Sequence, residues 1–324
     1  MSPDVLIVGG GVIGLSAALA CADAGARVSV LSGDAPPASL AAGGMLCPSF
    51  EAAHEGGRAL ARLGLESLAL WDGFAERVSD GAPRTLDYRR SGVLGVGYPP
   101  GFLRGEPVAA PACVEAGNAV LVPREGQVDP RRLLGRLDAA LTERGVGRHA
   151  GSVDVLIERN GRVEGARAGG RIVRAGRTIL ATGATSPAAF GLPPGLTVPI
   201  RGRAFATRLP GLPPLPGSGV LRSPSVYVCQ KADGTLYVGA TEEVRDGDAM
   251  LEGLWLEAGW LIPALRAAER LAVYDGVRPG TVDGLPVVEP DRSREGLFLA
   301  LGHHRNGVLL APLTAQRAAA WATG

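Results

Sequence analysis

The chain opens with Asp4-Val-Leu-Ile-Val-Gly-Gly-Gly-Val-Ile-Gly14, a short apolar run that is followed at once by glycines. The apolar run predicts a buried strand of a parallel sheet. Val12 to Ala24 predicts a helix of small residues that ends at Gly25, and Arg27 to Leu31 predicts the next strand. Because these segments form a βαβ unit of about thirty residues, the sequence predicts an α/β fold with a Rossmann-like domain.

The glycines of this unit have the spacing of a dinucleotide-binding turn, Gly9-x-Gly11-x-x-Gly14. Gly9 allows the tight turn, Gly11 lets the backbone approach a pyrophosphate, and Gly14 lets helix and strand pack closely. The start of the helix directs its N–H groups and the positive end of its dipole at the phosphates. Because the motif follows a strand and opens a helix, we expect it to bind a dinucleotide. The alternative is a glycine-rich turn that binds nothing.

The end of the second predicted strand departs from the usual pattern of such a unit. An acidic residue normally stands there and binds the adenosine ribose. Here Leu31 is followed by Ser32 and then by Gly33-Asp34. Either the Ser32 hydroxyl or the Asp34 carboxylate could make that contact, and the sequence leaves both open.

The composition excludes several classes of function. At 324 residues the chain is long enough for two interleaved domains with full apolar cores. A net charge of +1 gives no field that would draw it to nucleic acid or to an anionic membrane. No apolar stretch is long enough to span a bilayer. The four cysteines form no CxxC, and no histidine stands at ligand spacing with them. We therefore expect reduced thiols, a cytoplasmic location and no metal site.

The rest of the chain alternates helical and strand-like segments. Apolar residues at helical spacing predict a helix over residues 59–78, with Leu65 among the leucines of its buried face. A further helix is predicted over 248–269. Residues 225–229 and 235–239 predict a β-hairpin. This mixture indicates nucleotide-binding α/β segments that alternate with more β-rich segments.

Several blocks along nearly the whole chain carry recognisable residue patterns. With these blocks the chain resembles the flavin-dependent D-amino acid oxidase superfamily, and within it the glycine oxidase branch of the thiamine pathway. The blocks are Val8-Gly-Gly-Gly-Val-Ile-Gly-Leu-Ser16, Ala42-Gly-Gly-Met-Leu-Cys-Pro48, Glu125-Gly-Gln-Val-Asp-Pro130, Ala181-Thr-Gly-Ala-Thr-Ser186, Val198-Pro-Ile-Arg-Gly202, Tyr237-Val-Gly-Ala-Thr241, Gly276-Val-Arg-Pro-Gly-Thr-Val-Asp-Gly-Leu-Pro286 and Gly302-His-His-Arg-Asn-Gly-Val-Leu-Leu-Ala-Pro312. The last two are the most specific to that branch.

The resemblance implies noncovalent FAD and a glutathione-reductase-like FAD fold, in which a mainly antiparallel β substrate domain is inserted. It places the FAD-binding domain at 1–85, 140–200 and 273–324, and the substrate-binding domain at 86–139 and 201–272. It also implies assembly into a homo-oligomer. Carried over by position, the implied flavin contacts come from Gly9, Gly11, Ile13, Gly14, Ser32, Ser39, Ala42, Gly43, Gly44, Met45, Val153, Thr182, Gly183, His303, Arg305, Asn306, Gly307 and Val308.

The same resemblance implies substrate contacts from Arg278, Arg305 and Tyr227. An arginine suits a carboxylate because its planar fork donates two N–H groups to two oxygens. Arg278 is expected in a glycine- and proline-rich turn over 276–280, where a loop would present it to substrate. Arg305 is expected to touch both flavin and substrate, and the Tyr227 hydroxyl to assist at the carboxylate. The alternatives are an ordinary surface arginine, a surface salt bridge and a tyrosine that packs in the core.

Two pairs of polar residues lie near the expected site without a predicted catalytic task. We assign no general base to His303 or His304, because hydride transfer needs only a neutral amine and water can take its proton. The alternative for a buried histidine beside the flavin is a structural role. His54 and Glu55 are expected either at the site entrance or in a solvated loop.

The predicted reaction is the FAD-dependent oxidation of glycine or of a small N-substituted or D-amino acid. The carboxylate binds Arg278, Cα donates hydride to flavin N5, and the imine hydrolyses to a 2-oxo acid and an amine or ammonia. O2 then reoxidises the flavin and yields hydrogen peroxide. Two alternatives stay open. One is a D-amino acid dehydrogenase that passes electrons to a carrier other than O2, and the other is a flavin-binding pathway protein without turnover.

Overall fold

A computed structural model describes residues 2–53, 57–115, 117–243 and 249–324. Its helices are α1 (Val12–Asp23), α2 (Gly57–Val78), α3 (Pro130–Glu143), α4 (Ala249–Leu261) and α5 (Gly307–Thr323). Its strands are β1 (Val5–Val8), β2 (Val28–Ser32), β3 (Met45–Leu46), β4 (Val93–Val96), β5 (Glu106–Val108), β6 (Ala119–Val122), β7 (Gly126–Gln127), β8 (Gly147–Ala150), β9 (Val153–Arg159), β10 (Arg162–Ala168), β11 (Arg171–Arg174), β12 (Arg177–Leu180), β13 (Val198–Thr207), β14 (Val220–Arg222), β15 (Tyr227–Gln230), β16 (Leu236–Gly239), β17 (Arg270–Gly280), β18 (Val287–Pro290) and β19 (Leu297–Leu301).

The opening βαβ unit forms the centre of a mostly parallel sheet. Six strands lie in the order β18-β19-β12-β1-β2-β8, and only β18 runs antiparallel to its neighbour. The four residues of β1 are all buried, as expected for a strand that is covered on both faces. Helix α1 ends at Asp23, two residues before Gly25, which has a φ of +87°. The helix packs against α5 from the far end of the chain. The predicted Rossmann-like domain is confirmed.

A second sheet is mainly antiparallel. Its eight strands lie in the order β17-β13-β16-β15-β14-β4-β6-β5, and β14 with β4 is the one parallel pair among them. The predicted hairpin is confirmed, because β15 and β16 pair antiparallel with Tyr227 opposite Gly239. The combination of the two sheets confirms the predicted fold class.

The predicted helix over 248–269 is too long. Residue 248 lies outside the described residues, α4 ends at Leu261, and Pro263 opens a short 3-10 turn. Proline cannot donate a helical hydrogen bond and restricts the residue before it, so the helix stops there. In α2, Leu65 was expected on the buried face but is 53% exposed. It follows buried Gly64 directly, and successive residues of a helix point in directions about 100° apart.

The predicted turn over 276–280 is wrong. These residues form the second half of strand β17, which pairs residue by residue with β13, so that Arg278 lies opposite Ile200. The sheet accommodates the glycines and Pro279 because β17 is an edge strand, where a missing N–H donor leaves no neighbour unpaired. Arg278 is therefore presented by a regular strand rather than by a loop.

The division into an FAD-binding and a substrate-binding domain stays a prediction. Helix α3 and strands β13 and β17 each run across one of its expected boundaries. Among the residues that the structure describes, no helix has both the length and the apolar character needed to cross a membrane.

Candidate active site

A cavity of about 1030 Å³ lies where the two sheets and the start of α5 meet. Tyr227, Arg278 and Arg305, the three residues expected at the substrate, line it. Of the residues expected at the flavin, all except Gly14 line it as well. These are Gly9, Gly11, Ile13, Ser32, Ser39, Ala42, Gly43, Gly44, Met45, Val153, Thr182, Gly183, His303, Arg305, Asn306, Gly307 and Val308.

At Gly9 and Gly14 the turn between β1 and α1 comes so close to neighbouring backbone that a side chain does not fit. Gly9 has a φ of +128°, and a Cβ on it would lie 2.0 Å from the Ala181 carbonyl oxygen. A Cβ on Gly14 would lie 2.0 Å from the Gly9 carbonyl oxygen, so glycine at this position lets α1 approach the turn closely. The cap residue Gly11 makes no side-chain capping bond, and the first helical N–H, that of Val12, donates to Ser39 Oγ at 3.1 Å. The turn therefore places the start of α1, with the positive end of its dipole, on the cavity wall, where it favours an anionic group.

A second helix N-terminus borders the same cavity. Helix α5 begins at Gly307, and its cap residue Asn306 makes no side-chain capping bond to it. Ser32 and Asp34 both line the cavity, so both stay candidates for the ribose contact. A glycine cradle, two helix N-termini and the cavity volume together fit FAD, whose pyrophosphate and electron-accepting ring both favour positive potential.

The loop at Gly43 is fixed from behind by Lys231, the one lysine of the sequence. The Lys231 ammonium is buried and donates to the Gly43 carbonyl (2.7 Å) and to Gln127 Oε1 (2.8 Å). Burial lowers the pKa of Lys231. The lysine therefore ties this part of the cavity wall to β7 and to the hairpin turn.

Arg278 is the cavity-lining arginine that the described structure leaves without an acidic partner. Its Nη1 donates to the Thr241 carbonyl oxygen at 2.9 Å. Its guanidinium lies over the backbone of Gly202, where a Cβ would come within 2.1 Å of Arg278 Cζ. Across the described ranges, no carboxylate forms an ion pair with it. The guanidinium is thus oriented by backbone and keeps donors for an anionic ligand.

Tyr227 lies in a stack of tyrosines beside this arginine. Its ring stacks on Tyr237 at 6.0 Å between centroids, and Tyr237 stacks on Tyr274 at 5.3 Å. A Cβ on Gly239 would lie 2.7 Å from the Tyr227 hydroxyl, so glycine makes the room that the hydroxyl needs. Burial raises the pKa of Tyr227 to about 12, against an opposing effect of Arg278. The hydroxyl is therefore protonated at neutral pH and can donate to a carboxylate.

Arg305 is held between two carboxylates. Its Nε donates to Glu51 Oε2 at 3.1 Å, and its Nη1 donates to Glu242 Oε1 at 2.7 Å. Glu51 is buried; it also accepts from Asn306 Nδ2 at 3.0 Å and pairs with the Arg222 guanidinium at 3.6 Å. Glu51, Glu242 and Arg222 line the cavity and were not predicted from the sequence. The expected flavin and substrate contacts of Arg305 stay predictions.

The two histidines of the C-terminal block are neutral. His303 is buried, with its Nε2 2.9 Å from Thr314 Oγ1, and burial lowers its pKa to about 3. Burial and the neighbouring Arg305 lower the pKa of His304 to about 4. The predicted entrance residues His54 and Glu55 lie outside the described residues.

The burial of His303 predicts a loss of stability in acid. Because its folded pKa of about 3 lies below the ordinary 6.5, the unfolded chain binds a proton that the folded chain does not. This contribution is complete above pH 6.5 and is lost as pH falls towards 3, by about 1.4 kcal/mol per pH unit. Urea unfolding at pH 7 and pH 5 should show the wild type losing about 2 kcal/mol more than a His303→Asn variant. Equal losses in the two proteins would contradict the assignment.

Fold and cavity together define a protein that binds a dinucleotide cofactor. A family model described as FAD dependent oxidoreductase (DAO) matches residues 4–321. The chain belongs to this family of enzymes, and FAD is its cofactor. The resemblance drawn from the sequence blocks is confirmed.

Relatives and solved structures agree with this assignment. The chain is 31% identical over 343 residues to the bifunctional protein ThiO/ThiG of Trichormus variabilis, covering 97% of this chain and 52% of that protein. It is 29% identical to the glycine oxidase of Geobacillus kaustophilus, covering 96% of this chain and 90% of that protein. The crystal structure of glycine oxidase from Geobacillus kaustophilus superposes with a TM-score of 0.84 at 26% identity, covering 97% of this chain and 92% of that one. The chain thus spans about half the length of the bifunctional relatives that it matches.

Proposed function

We propose that the chain oxidises glycine or another small amino acid, N-substituted or of D configuration, with O2 as the final electron acceptor. Arg278 carries this proposal, because it is a cavity-lining guanidinium that is oriented by backbone and has no acidic partner in the described structure. The similarity to glycine oxidases supports an amino acid as substrate. The products are then an imine, which hydrolyses to a 2-oxo acid and ammonia or an amine, and hydrogen peroxide.

The side chains around Arg278 favour a carboxylate in one orientation. The Thr241 carbonyl accepts one N–H of the Arg278 guanidinium and so fixes the plane in which its remaining N–H groups lie. Two parallel N–H donors match two carboxylate oxygens. The protonated Tyr227 hydroxyl adds a third donor on the same cavity wall. Fixing the carboxylate in this way limits the positions that the adjacent Cα can take, which is how binding accelerates a reaction.

The cofactor supplies the redox chemistry, since bound FAD accepts a hydride from the substrate carbon. The chain supplies position and electrostatics. The N-terminus of α5 gives the cavity wall a positive potential that stabilises an electron-rich partner. His303 and His304 are neutral, so neither repels a substrate ammonium. The amine proton leaves to water, and no side chain is assigned as its base.

The test is to add glycine, N-methylglycine and D-alanine to the FAD-loaded protein without oxygen. We expect at least one of them to bleach the yellow flavin absorbance. Admission of air should then restore the colour and produce one hydrogen peroxide for each amino acid consumed.

Each alternative has its own outcome in this test. Bleaching that air does not reverse, or reverses without peroxide, would favour the dehydrogenase that uses another electron carrier. A flavin that none of the amino acids bleaches would refute the proposed oxidation and favour a flavin-binding protein without turnover.

Location and assembly are proposed separately from the chemistry. All four cysteines are free thiols and three of them are buried, which supports the proposed cytoplasmic location. Assembly into a homo-oligomer stays a prediction from the family resemblance.

A further inference from the structure

We propose that the Glu242 carboxylate pairs with Arg305, a second arginine of the substrate cavity, and thereby restricts the enzyme to substrates with a single carboxylate. The inference rests on the proposed function, because it concerns which amino acids the same cavity accepts. It follows from how the charged side chains of the cavity wall are paired.

The cavity wall carries more positive groups than one carboxylate needs. Three guanidinium groups line it, those of Arg222, Arg278 and Arg305. Arg222 is buried and pairs with buried Glu51. Arg278 has no acidic partner in the described ranges and is the proposed substrate anchor. Arg305 is therefore the guanidinium at which a second carboxylate of a substrate would bind.

Arg305 is already occupied by acidic groups of the chain. The Glu51 carboxylate accepts a hydrogen bond from Arg305 Nε. Glu51 is held in place because it is buried and also accepts from Asn306. The Glu242 carboxylate accepts from Arg305 Nη1 at 2.7 Å, and 46% of the Glu242 side chain is exposed. The Glu242 carboxylate therefore takes the position at Arg305 that a second carboxylate of a substrate would need.

Glu242 also lies close to the proposed substrate anchor along the chain. It directly follows Thr241, whose carbonyl oxygen holds Arg278. Its other neighbour, the His304 ring, has its Nε2 3.4 Å from Glu242 Oε1 and is neutral at pH 7. A second acid group on a substrate anchored at Arg278 would therefore meet a negative charge, and like charges that approach closely repel.

The test compares acetate with malonate, a monocarboxylate with a dicarboxylate. Both are titrated into the FAD-loaded protein, and their Kd values are read from the perturbation of the flavin absorbance. The wild type is expected to bind malonate no more tightly than acetate. A Glu242→Gln variant keeps the side-chain volume and removes the negative charge. We expect this variant to lower the Kd of malonate relative to the Kd of acetate by tenfold or more.

Turnover gives a second readout. The ratio of kcat/KM for D-aspartate to that for D-alanine should rise by a similar factor in Glu242→Gln. A Glu289→Gln variant is the matched control, because Glu289 lies outside the cavity wall and pairs with exposed Arg292. It should leave both ratios at the wild-type value. Glu242→Met replaces Glu242→Gln if the latter does not retain FAD.

Two outcomes would overturn the inference. One is that the wild type binds malonate more tightly than acetate, a result that alone would refute the restriction to monocarboxylates. The other is an uncharged variant at position 242 that binds FAD but keeps the wild-type ratios. If glycine still reduces the flavin in that case, the proposed oxidation stands and only the role of Glu242 falls. If no amino acid reduces the flavin, the proposed oxidation fails instead, whatever the two Kd values are.

Discussion

An Arg278→Ala variant is expected to retain FAD and to lose about 30- to 4,000-fold in kcat/KM for amino acid substrates, since truncating one partner of a charged pair costs about 2–5 kcal/mol. The guanidinium lines the cavity, is oriented by the Thr241 carbonyl and has no acidic partner in the described ranges. Its removal therefore leaves the substrate carboxylate without its main donors. The measurements are steady-state kinetics with glycine and D-alanine, and FAD fluorescence to confirm cofactor retention.

Two further variants separate this role from a general effect of losing an arginine. Arg292 has a side chain that is 89% exposed, so Arg292→Ala should have wild-type kinetics. In Gly202→Ala the new Cβ would lie 2.1 Å from Arg278 Cζ, so the flexible guanidinium must move while the fold is retained. We expect a raised KM with unchanged thermal stability. Wild-type kcat/KM in Arg278→Ala would contradict the proposed anchor.

A Gly14→Ala variant is expected to lose FAD binding and to be destabilised. Its Cβ would lie 2.0 Å from the carbonyl oxygen and 2.9 Å from the carbonyl carbon of Gly9, and neither backbone atom can move aside as a side chain can. Helix α1 would have to shift away from the turn that forms the phosphate cradle. We expect a loss of about 1–3 kcal/mol in the free energy of unfolding, as for overpacked cores. We also expect an increase of 100-fold or more in the Kd of FAD. Urea unfolding and FAD fluorescence titration measure the two effects.

The matched control is Gly73→Ala in α2. Gly73 is also helical, but a Cβ there would meet no atom within 4 Å. Alanine is favoured over glycine in a helix by about 0.5–1 kcal/mol, so this variant should be slightly stabilised and bind FAD normally. If both variants bound FAD like the wild type, the close approach of α1 to Gly9 would not be what shapes the cofactor site.

The dinucleotide-binding unit could be predicted from the sequence because its determinants are local. The buried strand, the glycine spacing and the helix all fall within β1, α1 and β2. Gly9 and Gly14 are explained by close contacts, Gly14 with Gly9 inside the unit and Gly9 with Ala181, which follows the adjacent strand β12.

Strand β17 could not be predicted because it depends on a distant partner. Glycine and proline at 276–280 favour a turn when only the neighbouring residues are considered. The ladder with β13 overrides that local preference, pairing Arg278 with Ile200 and Gly276 with Gly202. A single sequence does not show which segment lies beside which, so the placement of Arg278 was wrong although the residue itself lines the cavity.

The acidic residues of the candidate site were missed for the same reason. Glu51 and Glu242 acquire their roles only because the short 3-10 turn before α5 brings Arg305 between them. One signal was available for Glu51, which is a single charged residue at the end of an otherwise uncharged run from Met45. A charge next to a buried segment needs a partner, although its identity could not be read from the chain.

The burial of Lys231 has a practical consequence for chemical modification. With one lysine in the sequence and its side chain only 6% exposed, amine-reactive reagents find no accessible ε-amino group on the folded chain. The wall residue Gly43 must separate from that ammonium before the nitrogen can react. The rate at which such a reagent modifies Lys231 therefore reports how often the cofactor cavity opens, and saturation with FAD should slow it.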